Sequence, residues 1–230
     1  MKIDVLDKGY VRYDKHMGSD LDIVNSAKVS FDRASASFEE KEARLLAFLV
    51  KDEHTSTFRH SAITLEVYAP LLTARQWFKY AVASSHLEDQ FGWNESSRRY
   101  ITENVEYYIP APDQWRSAPE NRKQGSGPVL DLHVGRALTD QLIAQQDEGT
   151  ELYEWAMREG AAPEQARLFL PAYGLMVRWR WTFSLGAGLH FLHQRLAHDA
   201  QSEIRSYAEA VRDILKVHFP VAVQATLKEV

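Results

Sequence analysis

The chain has 230 residues, of which 45% are apolar and 26% charged, with a net charge of −5; this is the balance of an ordinary folded protein with its own core, not of a disordered one. The negative charge argues against a general nucleic-acid binder, which carries a basic face, and no apolar run approaches the roughly 18 residues of a membrane span. Cysteine is absent, which excludes a disulfide framework, a thiolate metal site and a cysteine nucleophile. The first residues, Met1-Lys2-Ile3-Asp4-Val5, lack the apolar core of a signal peptide, so a cytoplasmic protein is expected. No linker or repeat divides the sequence, and residues 1–230 read as a single domain.

In chain order, residues 2–6 alternate as a short strand, and Gly9 and the polar 14–19 stretch read as turns. Ser19 with Asp22 is a helix-capping signal before Leu21, Ile23, Val24 and Ala27, with an end near Val29-Ser30. Ser37 with Glu40 repeats that signal before Leu45, Leu46, Phe48 and Leu49. A polar break at 52–57 precedes a strand at 62–69, in which Ile63, Leu65 and Val67 alternate with Thr64, Glu66 and Tyr68. Pro70 then opens a helix with Leu71, Ala74, Arg75 and Phe78 on one face. Residues 105–109 read as extended and 116–128 as a mobile loop. Helical spacing runs from about 130 to 159 with a possible break at Gly149, and Pro163 starts a short helix carrying Arg167. Residues 175–183 form the clearest strand, with Trp179, Trp181 and Phe183 on an apolar face and Arg178 and Arg180 on a cationic one. Ser184 caps a helix with Leu185, Leu189, Leu192 and Leu196 on one stripe; a helix through Ile204, Tyr207, Ala208, Val211 and Ile214 follows, and Pro220 separates a last helical segment.

Two kinds of residue draw attention as chemistry. The run Asn94-Glu95-Ser96-Ser97-Arg98-Arg99-Tyr100 sets hydrogen-bonding side chains before two guanidinium groups, whose forks match phosphate oxygens. Arg167 and Arg195 each sit in mostly apolar helical surroundings, where a guanidinium needs an anion or an acceptor; a structural salt bridge is the competing reading. His190, His193 and His198 lack the paired spacing of zinc helices, so no metal is expected and they read as hydrogen-bonding side chains.

The run Ala74-Arg75-Gln76-Trp77-Phe78 followed by Asn94-Glu95-x-Ser97-x-Arg99-Tyr100 resembles the signature of the flavin-dependent thymidylate synthases. That signature reads Arg-His-Arg, then Ser, and continues to Arg-Tyr. Its second half matches here; Lys79-Tyr80-Ala81 stands in place of Arg-His-Arg, and extra residues around His86 to Trp93 intervene. Ala27-Lys28-Val29-Ser30, His54-Thr55-Ser56-Thr57-Phe58-Arg59-His60, Arg167-Leu168-Phe169-Leu170-Pro171 and Gln201-x-Glu203-Ile204 resemble further segments of the same family.

The resemblance implies an α/β (α+β) fold, a mixed β-sheet flanked by helices, assembled as a homotetramer with active sites shared between subunits. It implies a nucleotide monophosphate substrate held by Gln76, Glu95, Ser96, Ser97, Arg98, Arg99, Arg167 and Arg195, with Arg195 also catalytic. It implies FAD held by Ser30, His54, Ser56, Lys79, Asn94, Glu95 and His190, with NADPH and 5,10-methylenetetrahydrofolate as co-substrates. The implied reaction is C5-methylation of dUMP to dTMP; a branch of relatives in nucleoside-antibiotic pathways, such as that for polyoxin, methylates UMP. Hydride delivered to uracil C6 needs no protein nucleophile, in agreement with the missing cysteine. A non-enzymatic nucleotide or RNA binder on the same fold is the alternative of another class.

Overall fold

The computed structural model describes residues 1–80, 92–96, 105–120 and 125–227, without the side chain of Ser30. Its frame is a five-stranded sheet in the order β1-β2-β3-β5-β4, built from β1 (Lys2–Val5), β2 (Gly9–Met17), β3 (Ala62–Pro70), β4 (Trp93–Glu95) and β5 (Met176–Ser184). The combination of sheet and flanking helices is the class expected. Every pairing among the described strands is antiparallel, which narrows the expected mixed sheet. Period-two alternation records which face of a strand is buried and says nothing of the direction of its neighbour.

The apolar face is clearest on β5, where Trp179, Trp181 and Phe183 are almost fully buried. The opposite face carries a polar row. Arg12, Glu66, Arg180 and Asn94 lie side by side across β2, β3, β5 and β4, with Arg12 2.7 Å from Glu66. The 14–19 stretch, expected as turns, is strand up to Met17, and His16 and Met17 pair with Ile63 and Ala62. Its polarity reflects an exposed strand end rather than a turn. Between Tyr13 and Lys15 the register slips, and Asp14 is the extra residue; a bulge re-aims a side chain, and Asp14 takes Arg180 at 2.5 Å.

The helices are α1 (Asp20–Lys28), α2 (Glu40–Lys51), α3 (Leu71–Trp77), α4 (Leu132–Arg158), α5 (Pro163–Ala166), α6 (Leu185–Arg195), α7 (Ser202–His218) and α8 (Pro220–Leu227). Ser19 caps α1 and Ser184 caps α6, as their spacing predicts. The cap of α2 is Glu39, not Ser37: Glu39 and Glu42 form a reciprocal capping box, and the Ser37 hydroxyl donates to Glu39. On α3 the buried residues are Thr73, Ala74 and Trp77, while Arg75 and Phe78 are exposed, so the true stripe is rotated by one residue from the expected face. Trp77 displaces Phe78 because the pocket below is lined by large aromatic rings. Gly149 does not break α4. It lies buried where a Cβ would meet the carbonyl oxygen of Phe169 at 2.8 Å, so glycine serves close packing rather than a bend.

Two segments between the regular elements are simpler than their sequences implied. In 105–109 the extended reading survives as a single bridge, Tyr107 to Leu175. The described ends of 116–128 are tied together by an Arg116–Val129 bridge and by Ser117 N–H donating to Pro128; residues 121–124 lie outside the described residues. Among the described residues no helix is long and apolar enough to cross a membrane.

The core lies between the apolar sheet face and α6 to α8. Trp77 is its centre, 4.7 Å from Phe191 in a stack and edge-on to Trp179 and Trp181 at 5.4 and 5.7 Å. All five apolar positions predicted for α7 are buried. Asp20 closes the far side. Its buried carboxylate accepts the Val221 and Ala222 N–H groups of the first turn of α8, 201 and 202 positions away. Burial raises its pKa, and these two donors offset only part of that rise.

A histidine pair marks the seam between β2 and α7. His218 stacks on Tyr13 at 4.4 Å and lies 4.2 Å from the ring of His16, which in turn bonds the Tyr13 hydroxyl at 2.8 Å. Burial, then His16, then the amino terminus push the His218 pKa below its ordinary 6.5. In the unfolded chain His218 therefore takes up its proton at higher pH than in the folded chain. The contribution of neutral His218 is complete above pH 6.5 and is lost as pH falls through its lowered folded value. Thermal melts between pH 7.5 and 5 are expected to show a larger fall for the native chain than for His218→Gln. Parallel curves would remove His218 from the acid response.

Candidate active site

Three segments converge at one end of the aromatic core. The first is the end of α3 and the single turn Phe78–Tyr80 that continues it. The Tyr80 hydroxyl donates to Gln194 at 2.6 Å, and its ring lies 5.1 Å from Phe191 and 5.9 Å from His190. The guanidinium of Arg195 sits 5.3 Å above that ring. Burial raises the pKa of the Tyr80 hydroxyl, while the neighbouring Arg195 charge and hydrogen bond lower it.

The second segment is the C-terminal end of α6, where Arg195 is the last helical residue and a cation is favoured by the helix dipole. Arg195 is half-buried. Its Nε is fully buried without a hydrogen-bond partner, and among the described residues it pairs with no carboxylate. The loop after it is held by Arg205 of α7, whose Nη2 lies 2.5–3.0 Å from the carbonyls of Ala197, His198 and Ala200. The start of α7 is tied to α3 by Gln76 Nε2 donating to Gln201 at 2.5 Å, and Glu203 takes Arg116 at 2.5 Å.

The third segment is β4. Its register puts Trp93 and Glu95 on the apolar face, opposite Trp181 and Trp179, and Asn94 on the polar face beside Arg180. Ser96 N–H donates to the Arg178 carbonyl at 2.8 Å and fixes the end of the strand. The surface of Glu95 is exposed, yet the protein mass around it raises its pKa; the Trp93 indole N–H and the Arg167 charge act the other way.

Of the residues expected at the site, Gln76, Lys79, His190 and Arg195 gather where α3, α6 and α7 meet, and Asn94, Glu95 and Ser96 sit together on β4 with Arg167 within electrostatic reach of Glu95. His54 and Ser56 lie at the exposed turn Thr55–His60, which packs against α1 and α6, with the His54 ring 5.7 Å from Phe48. No described contact joins them to the other site residues. Ser30 lies in the turn Val29–Phe31. Ser97, Arg98 and Arg99, with most of the inserted segment, lie outside the described residues. Arg167 is not in apolar surroundings, as its sequence context implied. It is exposed at the end of a single helical turn, and its Nε donates to the Glu164 carbonyl at 3.3 Å. Sequence reading missed Trp93, Tyr80, Gln194 and Arg205. Arg205 directly follows the Gln-x-Glu-Ile run, and Tyr80 stands inside the altered Lys79-Tyr80-Ala81, so both were next to a visible signal.

The chain matches the profile of the family described as Thy1, thymidylate synthase complementing protein, over residues 13–221. It is 36% identical over 223 residues to a flavin-dependent thymidylate synthase of Wolbachia pipientis, covering 96% of this chain and 74% of that one. It is 37% identical over 222 residues to one from Thermus thermophilus (96% and 77%), and 34% identical over 231 residues to that of Thermotoga neapolitana (99% and 95%). The fold superposes on a crystal structure of the UMP/dUMP methylase PolB from Streptomyces cacaoi bound with 5-Br dUMP, with a TM-score of 0.82 at 24% identity over 98% of this chain and 97% of that one. These matches run through the segments that build the site, and they set aside the non-enzymatic binder. The chain belongs to the flavin-dependent thymidylate synthase family and is an enzyme of that family.

Proposed function

We propose that this enzyme methylates C5 of a uridine monophosphate, dUMP in the first instance, with FAD as bound cofactor, NADPH as reductant and 5,10-methylenetetrahydrofolate as one-carbon donor. The observation that carries the reading is Arg195: a half-buried guanidinium with a buried, unpartnered Nε at the rim of an aromatic core. Such a group is stable where an acceptor of partial negative charge completes it, and a pyrimidine carbonyl is one. The relatives named above are flavin-dependent thymidylate synthases by name, which supports the flavin and the thymidylate product of this reading.

The residues present fit a flavin and a nucleotide. Lys79, an exposed point charge, suits a pyrophosphate, and Ser30, His54, Ser56, Asn94, Glu95 and His190 supply hydrogen-bonding groups for the rest of FAD. Bound flavin supplies hydride to the pyrimidine C6, which suits a chain without cysteine. The chain's own share is positioning. Gln76, Glu95, Ser96 and Arg167, with Ser97, Arg98 and Arg99, would hold the nucleotide, and Arg195 would stabilise negative charge as it develops on the ring.

The reading includes a single domain over residues 1–230 and a cytoplasmic homotetramer. Exposed Leu132, Val134, Leu138, Leu152 and Trp155 along α4 support self-association.

The choice between dUMP and UMP falls at the sugar, because Arg167 and Arg195 address phosphate and ring, which both share. A site that tolerates an additional hydroxyl discriminates by about a hundredfold or less. Equal dUMP and UMP, supplied with FAD, NADPH and methylenetetrahydrofolate, are expected to give mainly dTMP. Excess 5-methyl-UMP would reverse the assignment of substrate, and absence of both products would sink the reading.

A further inference from the structure

Tyr80 ends the turn Phe78–Tyr80 and reaches the last turn of α6 at two points. Its hydroxyl donates to Gln194 Oε1 at 2.6 Å, and the guanidinium carbon of Arg195, the next residue, stands 5.3 Å from the centre of its ring. The same ring meets Phe191 edge-on, with centroids 5.1 Å apart and planes at 88°. Phe191 is fully buried and stacks on Trp77, so the Tyr80 ring is fixed from the core as well as from the surface. Arg195 is held less closely. Its Nε is buried without a hydrogen-bond partner, and among the described residues no carboxylate pairs with it. A long side chain has many rotamers to lose, and the Tyr80 ring is the described contact that restricts where this guanidinium points.

We propose that Tyr80 is a positioning residue: its ring, held between Gln194 and Phe191, is the platform that aims the Arg195 guanidinium at the pyrimidine of the bound nucleotide. The proposal rests on the pyrimidine reading of Arg195. An aromatic face attracts a cation through its quadrupole and leaves the N–H groups at the edge of the fork for a ligand. A carboxylate in the same place would also hold the guanidinium, but it would take those donors and neutralise the charge. A phenol is uncharged at neutral pH, and burial keeps the Tyr80 hydroxyl so. A protonated imidazole at this position would repel Arg195 instead. Tyr80 thus joins the turn that carries Lys79 to the helix end that carries Arg195.

A double-mutant cycle in the FAD-bound enzyme tests this, read as single-turnover methylation of saturating dUMP with NADPH and methylenetetrahydrofolate. Tyr80→Leu keeps apolar bulk against Phe191 and removes the ring face; it is expected to slow methylation about tenfold, with FAD affinity within about twofold of native. Tyr80→Phe restores the ring and should recover the rate to within about threefold of native. In an Arg195→Ala background Tyr80→Leu should cost about twofold or less, because no guanidinium is left to aim. A further loss of about tenfold in that background would show that Tyr80 acts apart from Arg195 and overturn the proposal. Native methylation in Tyr80→Leu would overturn it too, and so would loss of FAD, which would make Tyr80 a direct cofactor contact. Near-native turnover in Arg195→Ala alone removes the pyrimidine reading of Arg195 and the proposal with it; impaired Arg195→Ala with additive losses overturns the proposal alone. Should Tyr80→Leu melt far below native, Gln194→Leu takes its place in the cycle. It frees the hydroxyl from the surface side, and should slow methylation about threefold in the native background and not in Arg195→Ala.

Discussion

Arg195→Ala lowers methylation turnover by about a hundredfold or more and leaves folding and assembly nearly intact, as measured by single-turnover product formation, thermal melting and size-exclusion chromatography. The two halves of this expectation come from the same geometry. Arg195 pairs with no carboxylate among the described residues, and its buried Nε has no acceptor. Truncation therefore strands no buried anion, the usual source of large losses when a buried charge is removed. What is lost inside the protein is its interaction with Tyr80, of which the contact over the ring at 5.3 Å is worth about 0.5–1 kcal/mol where partly exposed. What is lost toward the substrate is the donor set at the site of developing charge. Arg195→Lys should recover only part, because an ammonium lacks the planar fork. Near-native turnover in Arg195→Ala would remove it from the catalytic role.

Trp77→Ala has the largest effect on stability, about 3–5 kcal/mol in urea unfolding. The ring is fully buried and touches Trp179, Trp181, Phe191 and Tyr207, so the cavity is walled by large rings that cannot collapse into it without leaving their own contacts. Trp77→Phe is the informative companion. Its ring is smaller, but the indole N–H of Trp77 is buried without a partner, so the substitution also removes an unsatisfied donor. A loss of about 1.5 kcal/mol or less is expected for it. The two variants should separate in activity too. Gln76, next to Trp77, holds Gln201 at 2.5 Å, and an α3 that shifts into a cavity misplaces both. Equal losses for the two variants would mean that packing around this ring is looser than its neighbours imply.

Much of this architecture is legible in the sequence, for reasons that can be named. β3, β5 and α7 each repeat an apolar residue at the period of their own geometry, and all three elements lie where that period puts them. Ser19 and Ser184 cap because a short hydroxyl ahead of an apolar run has few other local uses. The misses share a cause in tertiary contact. The end of β2 reads as turn because its strand character is set by pairing with β3. The face of α3 is rotated because Trp77 enters an aromatic pocket whose other members lie on β5, α6 and α7. At the site, the altered Lys79-Tyr80-Ala81 hides Tyr80's role, since no local pattern announces a ring beneath a guanidinium 115 positions on. Trp93 and Arg205 act on aromatic rings and backbone carbonyls brought to them by the fold, and such partners have no sequence signature.

The reach of Asp20 to α8 has a consequence for how quickly this chain can find its fold. The Thr64–Thr182 pair at the centre of the sheet spans 118 positions, and the Asp20–Val221 bond spans 201. Closing such loops adds little to the equilibrium cost, which grows only as the logarithm of loop length, but it slows the search. A chain made from its amino terminus presents β1, β2 and β3 first, with the edge of β3 that β5 will occupy still open. That edge waits through α3, α4 and α5 before Trp179, Trp181 and Phe183 arrive to cover it, and an open apolar edge is where chains associate wrongly. Docking of α8 on the Asp20 carboxylate comes after all of these steps. Opening of that one contact would then be an early event in unfolding, and amide exchange at Val221 and Ala222 would report it directly.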